Sequence, residues 1–210
     1  MLIQGQVGSL ASTSSIAVGT QAAIRQGNMG DQIVSELHGR YYEAAYRRAL
    51  FSAANTAAVA TTAIAATTYT GLCVSNPVGS TVNLVILKAN WSISAAISAA
   101  GTLVLQTGYN ASTNVTHSVV ITPVNNFIGL GATGVALADA GATLPTAPAS
   151  RVILSSDGTL ATTGYALGGQ QFIDLEGSII LPAGAYISFA TSAANTAAWW
   201  FSLSWEEVPV

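Results

Sequence analysis

Charge is scarce in this sequence. Of 210 residues, nine are acidic and six basic, or 7 % charged, where about 25 % is usual for a soluble domain. Six cations and a net charge of −3 cannot form the basic footprint that holds a phosphate backbone, so no nucleic-acid partner is expected. Cysteine occurs once, at Cys73, which excludes an intrachain disulfide and a cysteine-based metal site. Within Gly71-Leu72-Cys73-Val74 it reads as a small buried hydrophobe. Long apolar runs are missing too. The uncharged stretch from Ala49 to Leu87 is broken by Asn55, Asn76, Pro77, Gly79 and many threonines, and the run from Trp91 to Leu105 holds serines and Gly101. A spanning helix needs about 18 consecutive apolar residues, so no membrane segment is expected. The opening Met1-Leu2-Ile3-Gln4-Gly5 lacks the basic and long apolar regions of a signal peptide.

What fills the chain is small. Thirty-seven Ala, 22 Thr, 21 Ser and 20 Gly make up nearly half of it, and half of all residues are apolar. That apolar share rules out a disordered solvating chain. A chain of this length buries roughly 70 % of its unfolded surface and needs no covalent staple. Low charge then leaves two explanations besides a membrane: burial of surface among neighbouring subunits, or a β surface kept wet by hydroxyls and amides.

The charges are unevenly placed. Arg25, Asp31, Glu36, Arg40, Glu43, Arg47 and Arg48 are seven of the fifteen, and between Arg48 and Asp139 only Lys88 is charged. The chain therefore divides near residue 50, into an anchoring segment over 1–50 and a body over 51–210. The first 20 residues, rich in Gly, Ser, Thr and Gln, suit an extended arm. Tyr42, Tyr46, Leu50 and Ala53 recur at spacings of four and three, and Glu43 and Arg47 form a favourable i,i+4 pair. This predicts one short helix within Gly39 to Ala54, although Tyr41, Tyr42 and Phe51 would also serve a strand.

The body reads as β. Thr81–Asn90, Gly101–Tyr109, Val115–Thr122, Arg151–Leu154, Ser178–Leu181, Ala185–Thr191 and Trp199–Glu206 are rich in β-formers and bounded by turn residues such as Pro182-Ala183-Gly184. In the last of these, Trp199, Phe201, Leu203 and Trp205 take one face and Trp200, Ser202, Ser204 and Glu206 the other, a strict period of two. Seven to nine such strands predict a mainly β fold, an antiparallel jelly-roll-like β-sandwich preceded by the N-terminal arm.

Few constellations could carry chemistry. Gly129-Leu130-Gly131-Ala132-Thr133-Gly134 matches G-x-G-x-x-G, but a dinucleotide site needs a strand before it and a helix after it; with 20 glycines in the chain it reads as a plain glycine loop. Asp174 and Glu176 would share a strand face with carboxylates roughly 6–7 Å apart, a spacing open to glycoside hydrolysis or a hard cation but commoner on a solvated face. Glu206 and Glu207 face opposite sides of a strand. His38 and His117 lie far apart without a ligand cluster, and Ser118 points away from His117. Asn90, Asn110 and Asn114 head Asn-x-Ser/Thr triplets that matter only in a secretory pathway. Among Trp91, Tyr186, Trp199, Trp200 and Trp205, a possible stacking platform, Trp200 alone sits on a polar strand face and is a candidate for a subunit or ligand contact. Neither a catalytic, a cofactor nor a metal site is expected.

Residues 24–54 and the closing LPAGAYISFATSAANTAAWWFSLSWEEVP resemble virion structural proteins of tailed bacteriophages, and more narrowly the capsid decoration or cement proteins that coat a phage head. The resemblance implies a non-enzymatic jelly-roll protein, trimeric with its own copies, bound to the major capsid protein shell through its N-terminal arm. It would reside in the virion, assembled in the host cytoplasm. Arg25, Asp31, Glu36, Arg40, Arg47 and Arg48 would supply the mixed-sign contacts that fix register on the shell. The alternative is a head-fibre or tail-fibre module that binds host glycans through Trp200. An enzyme built on Asp174 and Glu176 or on the glycine loop is the remaining class.

Overall fold

A computed structural model of the chain describes residues 39–157 and 171–210, together with a short parallel pairing of β1 (Gly5–Gln6) with β2 (Ile24–Arg25). The chain falls into two compact units, Met1–Tyr42 and Glu43–Val210. The proposed extended arm, with Asp31, Glu36 and His38, lies outside the described residues apart from that strand pair.

The second unit is built of antiparallel strands. In chain order they are β3 (Leu50–Ala54), β4 (Val59–Thr61), β5 (Thr68–Ser75), β6 (Val82–Ile93), β7 (Gly101–Tyr109), β8 (Thr116–Ile121), β9 (Val124–Asn125), β10 (Leu137–Thr143), β11 (Ala149–Asp157), β12 (Gln171–Leu181), β13 (Ala185–Thr191) and β14 (Asn195–Pro209). One sheet has the order β11-β7-β13-β5-β10-β8, the other β12-β6-β14-β3-β9, with β4 beside the start of β14. The pairings are nested about the middle of the chain: β5 pairs β13, β6 pairs β12, β7 pairs β11 and β8 pairs β10. A long hairpin folded over on itself gives this pattern. Its first, third and fourth pairs lie in one sheet and its second in the other, where β14 takes the place beside β6.

One core joins the two sheets. Leu72, Val74, Leu103, Leu105, Ile187 and Phe189 come from the first sheet, and Leu84, Ile86, Trp199, Phe201, Leu203 and Trp205 from the second. Phe189 stacks on Phe201 across the gap, centroids 4.2 Å apart, and Trp199 continues the stack at 5.8 Å. From Trp199 to Trp205 the odd-numbered residues of β14 fill this core as their period requires. The indole nitrogens of Trp91, Trp199 and Trp205 are buried without a hydrogen-bond partner. Ring area rather than polar bonding therefore holds this layer together, at a cost per unmade bond of about 1–3 kcal/mol.

The predicted short helix is present but covers only part of Gly39–Ala54, whose end is strand. Only α1, Tyr42–Tyr46, is helical; Arg48 then takes a left-handed φ of 62°, and Leu50–Ala54 pairs with β14. Burial decides this outcome: Phe51 and Ala53 enter the core by alternation, Phe51 stacking on Trp205 at 6.4 Å, and β14 offers an open edge to pair with. Besides the short β4 and β9, two longer strands escaped the sequence reading, β5 and β10. Both are rich in Gly, Ala, Thr and Ser, which carry little strand signal, and both are interior to a sheet.

Outside the main core, a second cluster of Tyr69, Cys73, Val115, Ala142, Leu144 and Tyr186 covers the outer face of the first sheet. Two glycines make room for the two tyrosines. Gly71, at φ 126°, would bring a Cβ within 2.5 Å of the Tyr69 hydroxyl, and Gly108 is the direct cross-strand partner of Tyr186, so its missing side chain lets the ring lie over the strand.

Candidate interaction surfaces

The largest concentration of exposed apolar side chains lies along one margin of the sandwich. There β8, the edge of the first sheet, runs through Thr122 and Pro123 into β9, the edge of the second. Val119, Val120, Val124, Ile128, Leu130, Val135 and Leu137, seven of the seventeen large exposed hydrophobics of the described residues, fall in this one stretch, Ile128 at 93 % exposure. Val119 and Val120 are consecutive on a strand, so each face of β8 carries an exposed valine, and its outer side is the backbone hydrogen-bonding edge of the sheet. From Thr116 to Ala138 there is no Asp, Glu, Lys or Arg. Natural edge strands exposed to water carry charges or prolines that block pairing; β8 carries none.

Three predicted contact residues are placed in the second unit. Arg47 pairs with Glu43, Nε to Oε1 2.8 Å, both side chains exposed. Arg48 lies over the Phe127 ring at 5.6 Å, and its carbonyl accepts a hydrogen bond from Asn125 Nδ2 at 2.7 Å. Tyr46 meets the same Phe127 edge-on at 6.2 Å. The turn after α1 is therefore tied to the apolar margin, a link between residues 46–48 and 125–127 invisible to local patterns. Arg40, in the first unit, lies over the Tyr41 ring at 5.9 Å. The backbone of Arg25 pairs with Gln6.

Trp200 is the one exposed member of the five-ring set, at 38 %, while Trp91, Tyr186, Trp199 and Trp205 are buried. Its indole N–H donates to Ser94 Oγ at 2.9 Å. It lines a cavity of about 330 Å³ on the outer face of the second sheet with Asn90, Ser92, Ser202 and Ala54. A second cavity, of about 380 Å³, opens beside β11 and β12, with Arg151, Thr107, Tyr109 and Ser178 among its lining; Arg151 Nε donates to Thr107 Oγ1 at 2.8 Å.

The acidic pair Asp174 and Glu176 does not sit on a regular strand face. Glu176 has φ 51° and Gly177 φ 79°, and the β12–β6 register shifts between Asp174 and Ile179. Asp174 Oδ1 accepts the Glu176 amide at 3.1 Å, and Asp174 is the cross-strand partner of Lys88. The bulge breaks the alternation on which the two-carboxylate spacing depended. No group of three or more metal-ligating side chains occurs among the described residues.

The glycine loop is followed by β10, not by a helix. The amides just beyond it are occupied: Val135 N and Ala136 N donate to Glu207 Oε1 at 2.9 and 3.0 Å. An internal carboxylate thus takes the amides that a phosphate would need. Glu207 is buried, a placement the sequence reading did not make although its odd position in β14, in phase with Trp205, carries the signal for it.

His117 and Asp139 come together across β8 and β10, Nδ1 to Oδ2 2.5 Å. Asp139 belongs to a buried row running straight across four strands, through Cys73, Ser188 and Gln106. Burial pushes the Asp139 carboxyl above the usual carboxylate value, with the His117 hydrogen bond pulling it back. Burial, and next the nearby Asp139, push the Cys73 thiol far up, so it stays protonated and is no nucleophile. No hydroxyl or thiol is hydrogen-bonded to the imidazole among the described residues, and a hydrolytic triad has no third member there. Asn110 and Asn114 serve turns: Asn110 Oδ1 accepts the Ser112 and Thr113 amides, and Asn114 Oδ1 the Val78 amide. No described helix is long and apolar enough to cross a membrane.

Fold and surfaces together define a mainly β protein of two antiparallel sheets sharing one core, with an uncharged apolar margin. The chain matches no protein-family model, no curated protein and no solved structure.

Proposed function

We propose that the chain is a non-enzymatic structural protein of a tailed-phage virion, a capsid decoration protein that associates with its own copies and binds the head shell. The observation that carries this reading is the apolar margin from Val119 to Leu137. A patch of this kind without charge marks a protein contact, and a second copy of a nearly uncharged strand brings no like charge against it. The nested pairing of β5 to β8 with β10 to β13 supports a jelly-roll ancestry for the body, with its last pair moved to the other sheet. Arg48, over the Phe127 ring, supplies charge at the rim of this margin, where partner charges set orientation more than affinity. Each copy would hold adjoining shell subunits together by burying surface on both, and many copies add their effects.

The test is a charge placed in the margin. Val120→Lys is expected to keep the fold, because Val120 is 69 % exposed, and to lower the assembly state measured by size-exclusion chromatography with light scattering. The same variant should lose binding to phage heads stripped of this protein. A natural chain that is monomeric and does not bind such heads refutes the reading.

A further inference from the structure

The second surface is chemically unlike the first. On the outer face of the second sheet, Trp200 on β14 is the cross-strand partner of Ser92 on β6, and Ser202 the partner of Asn90. Asn90 is in turn the partner of Phe172 on β12. An exposed indole, two serines and an amide thus share one face, with the exposed Phe172 ring at its far side. Two strand spacings across and two residues along separate Trp200 from Phe172 at the backbone by about 12 Å.

We propose that this groove binds a neutral carbohydrate chain. The axial C–H face of a pyranose is apolar and lies flat on an aromatic ring, while its rim of hydroxyls needs neutral donors and acceptors. The groove offers both. The Trp200 N–H is held by Ser94 Oγ, so the ring's tilt is set before a ligand arrives and little rotamer entropy is lost on binding. Asn90 Nδ2 donates to Ser202 Oγ at 3.0 Å. That bond leaves the Asn90 carbonyl, its second N–H and the Ser202 O–H for a ligand, and the Ser92 hydroxyl adds a donor and an acceptor.

Charge selects the ligand class. No Asp, Glu, Lys or Arg lines the cavity, so a phosphate, sulfate or carboxylate would be desolvated there without a counter-charge. In the neighbouring row Lys88 and Asp174 are cross-strand partners of opposite sign and offset each other. The cavity of about 330 Å³ is at the lower end of the range for small-ligand sites, roughly 300–1,000 Å³. This inference is independent of the proposed role in a shell, because the groove and the apolar margin share no residue.

The test is a printed array of neutral, sialylated and sulfated oligosaccharides probed with the full natural chain, followed by titration of the best neutral glycan against tryptophan fluorescence. Trp199 and Trp205 are buried, as is Trp91, which also borders the cavity, so a ligand-dependent change in emission that disappears in Trp200→Phe reports Trp200. Expected are binding of neutral glycans in preference to charged ones, at least tenfold weaker binding by Trp200→Ala, partial retention by Trp200→Phe, and a several-fold loss in Asn90→Ala. Unchanged melting temperatures show that these variants fold. Three outcomes overturn the proposal: no binding to any glycan, preference for sialylated or sulfated glycans, or full binding by Trp200→Ala. If Trp200→Ala instead abolishes self-association or shell binding with no glycan bound, the face is a protein contact. Failure of Val120→Lys to affect assembly leaves the groove untouched, so the two readings fail separately.

Discussion

Strands β13 and β14 are both central, yet they are buried differently. Every residue of β13 is buried, while from Phe201 to Glu207 β14 alternates between buried and half-buried. Their inner faces meet in the Phe189–Phe201 stack, so the difference lies outside. The outer face of β13, with Tyr186 and Ser188, is closed over by Leu144, Val115 and the second aromatic cluster. The outer face of β14, with Trp200 and Ser202, is open. On the closed side the Tyr186 hydroxyl finds an internal partner in the Thr146 carbonyl, whereas Ser188 Oγ is buried without one, at a cost that a polar group on the solvated side does not bear. β13 is thus buried at both faces, while β14 leaves one face partly open to solvent.

The largest test of this contrast removes the contact common to both strands. Phe189→Ala deletes the ring stacked at 4.2 Å on Phe201 and should cost about 3–5 kcal/mol in urea denaturation. Next comes the closed face alone. The Tyr69 hydroxyl shares its one proton between the carbonyls of Leu72 and Phe189, at 2.9 and 2.7 Å, and accepts the Phe189 amide at 3.1 Å. Tyr69→Phe leaves these groups buried without that partner and should cost about 1–3 kcal/mol. An equal cost from Trp200→Ala would break the contrast, since the open face is predicted to contribute little to stability.

The smallest effect is a pH dependence on the closed face. Because Asp139 titrates above its ordinary value of 3.8, the fold holds its proton more tightly than the unfolded chain does. Its stabilising contribution is complete below the unfolded value and is lost as pH rises through the folded one. Compared with the Asp139→Asn variant, the natural chain should therefore lose stability as pH rises above the ordinary Asp value of 3.8. Denaturation midpoints of both chains below and above that value measure it. A difference between them that is constant with pH refutes the assignment.

Much of the body was legible from local pattern. β7 and β13 have the predicted bounds, Gly101–Tyr109 and Ala185–Thr191, because Val, Ile, Leu and Phe in short runs between turn residues identify a strand wherever it packs. Trp200 stood out for the same reason, as the aromatic out of phase in β14. The apolar margin was less legible. Val119 and Val120 look like core residues in sequence, and only the position of β8 at a sheet edge exposes them. The groove was invisible beyond Trp200, since Asn90 and Ser92 lie 108 or more residues earlier in the chain and reach it through strand pairing.

The sequence by itself determined the class of fold, the inward face of β14 and the scarcity of charge that leaves hydroxyls and amides to wet the surface. Side-chain period and composition are local properties, and they survive any arrangement of the strands. Tertiary structure decided the rest: that Leu50–Ala54 is strand, that Asp139 meets His117, that Glu207 occupies the amides beyond the glycine loop, and which strands are edges. Each of these depends on which strands pair, and that is settled by the packing of one shared core rather than by any residue's neighbours in the chain.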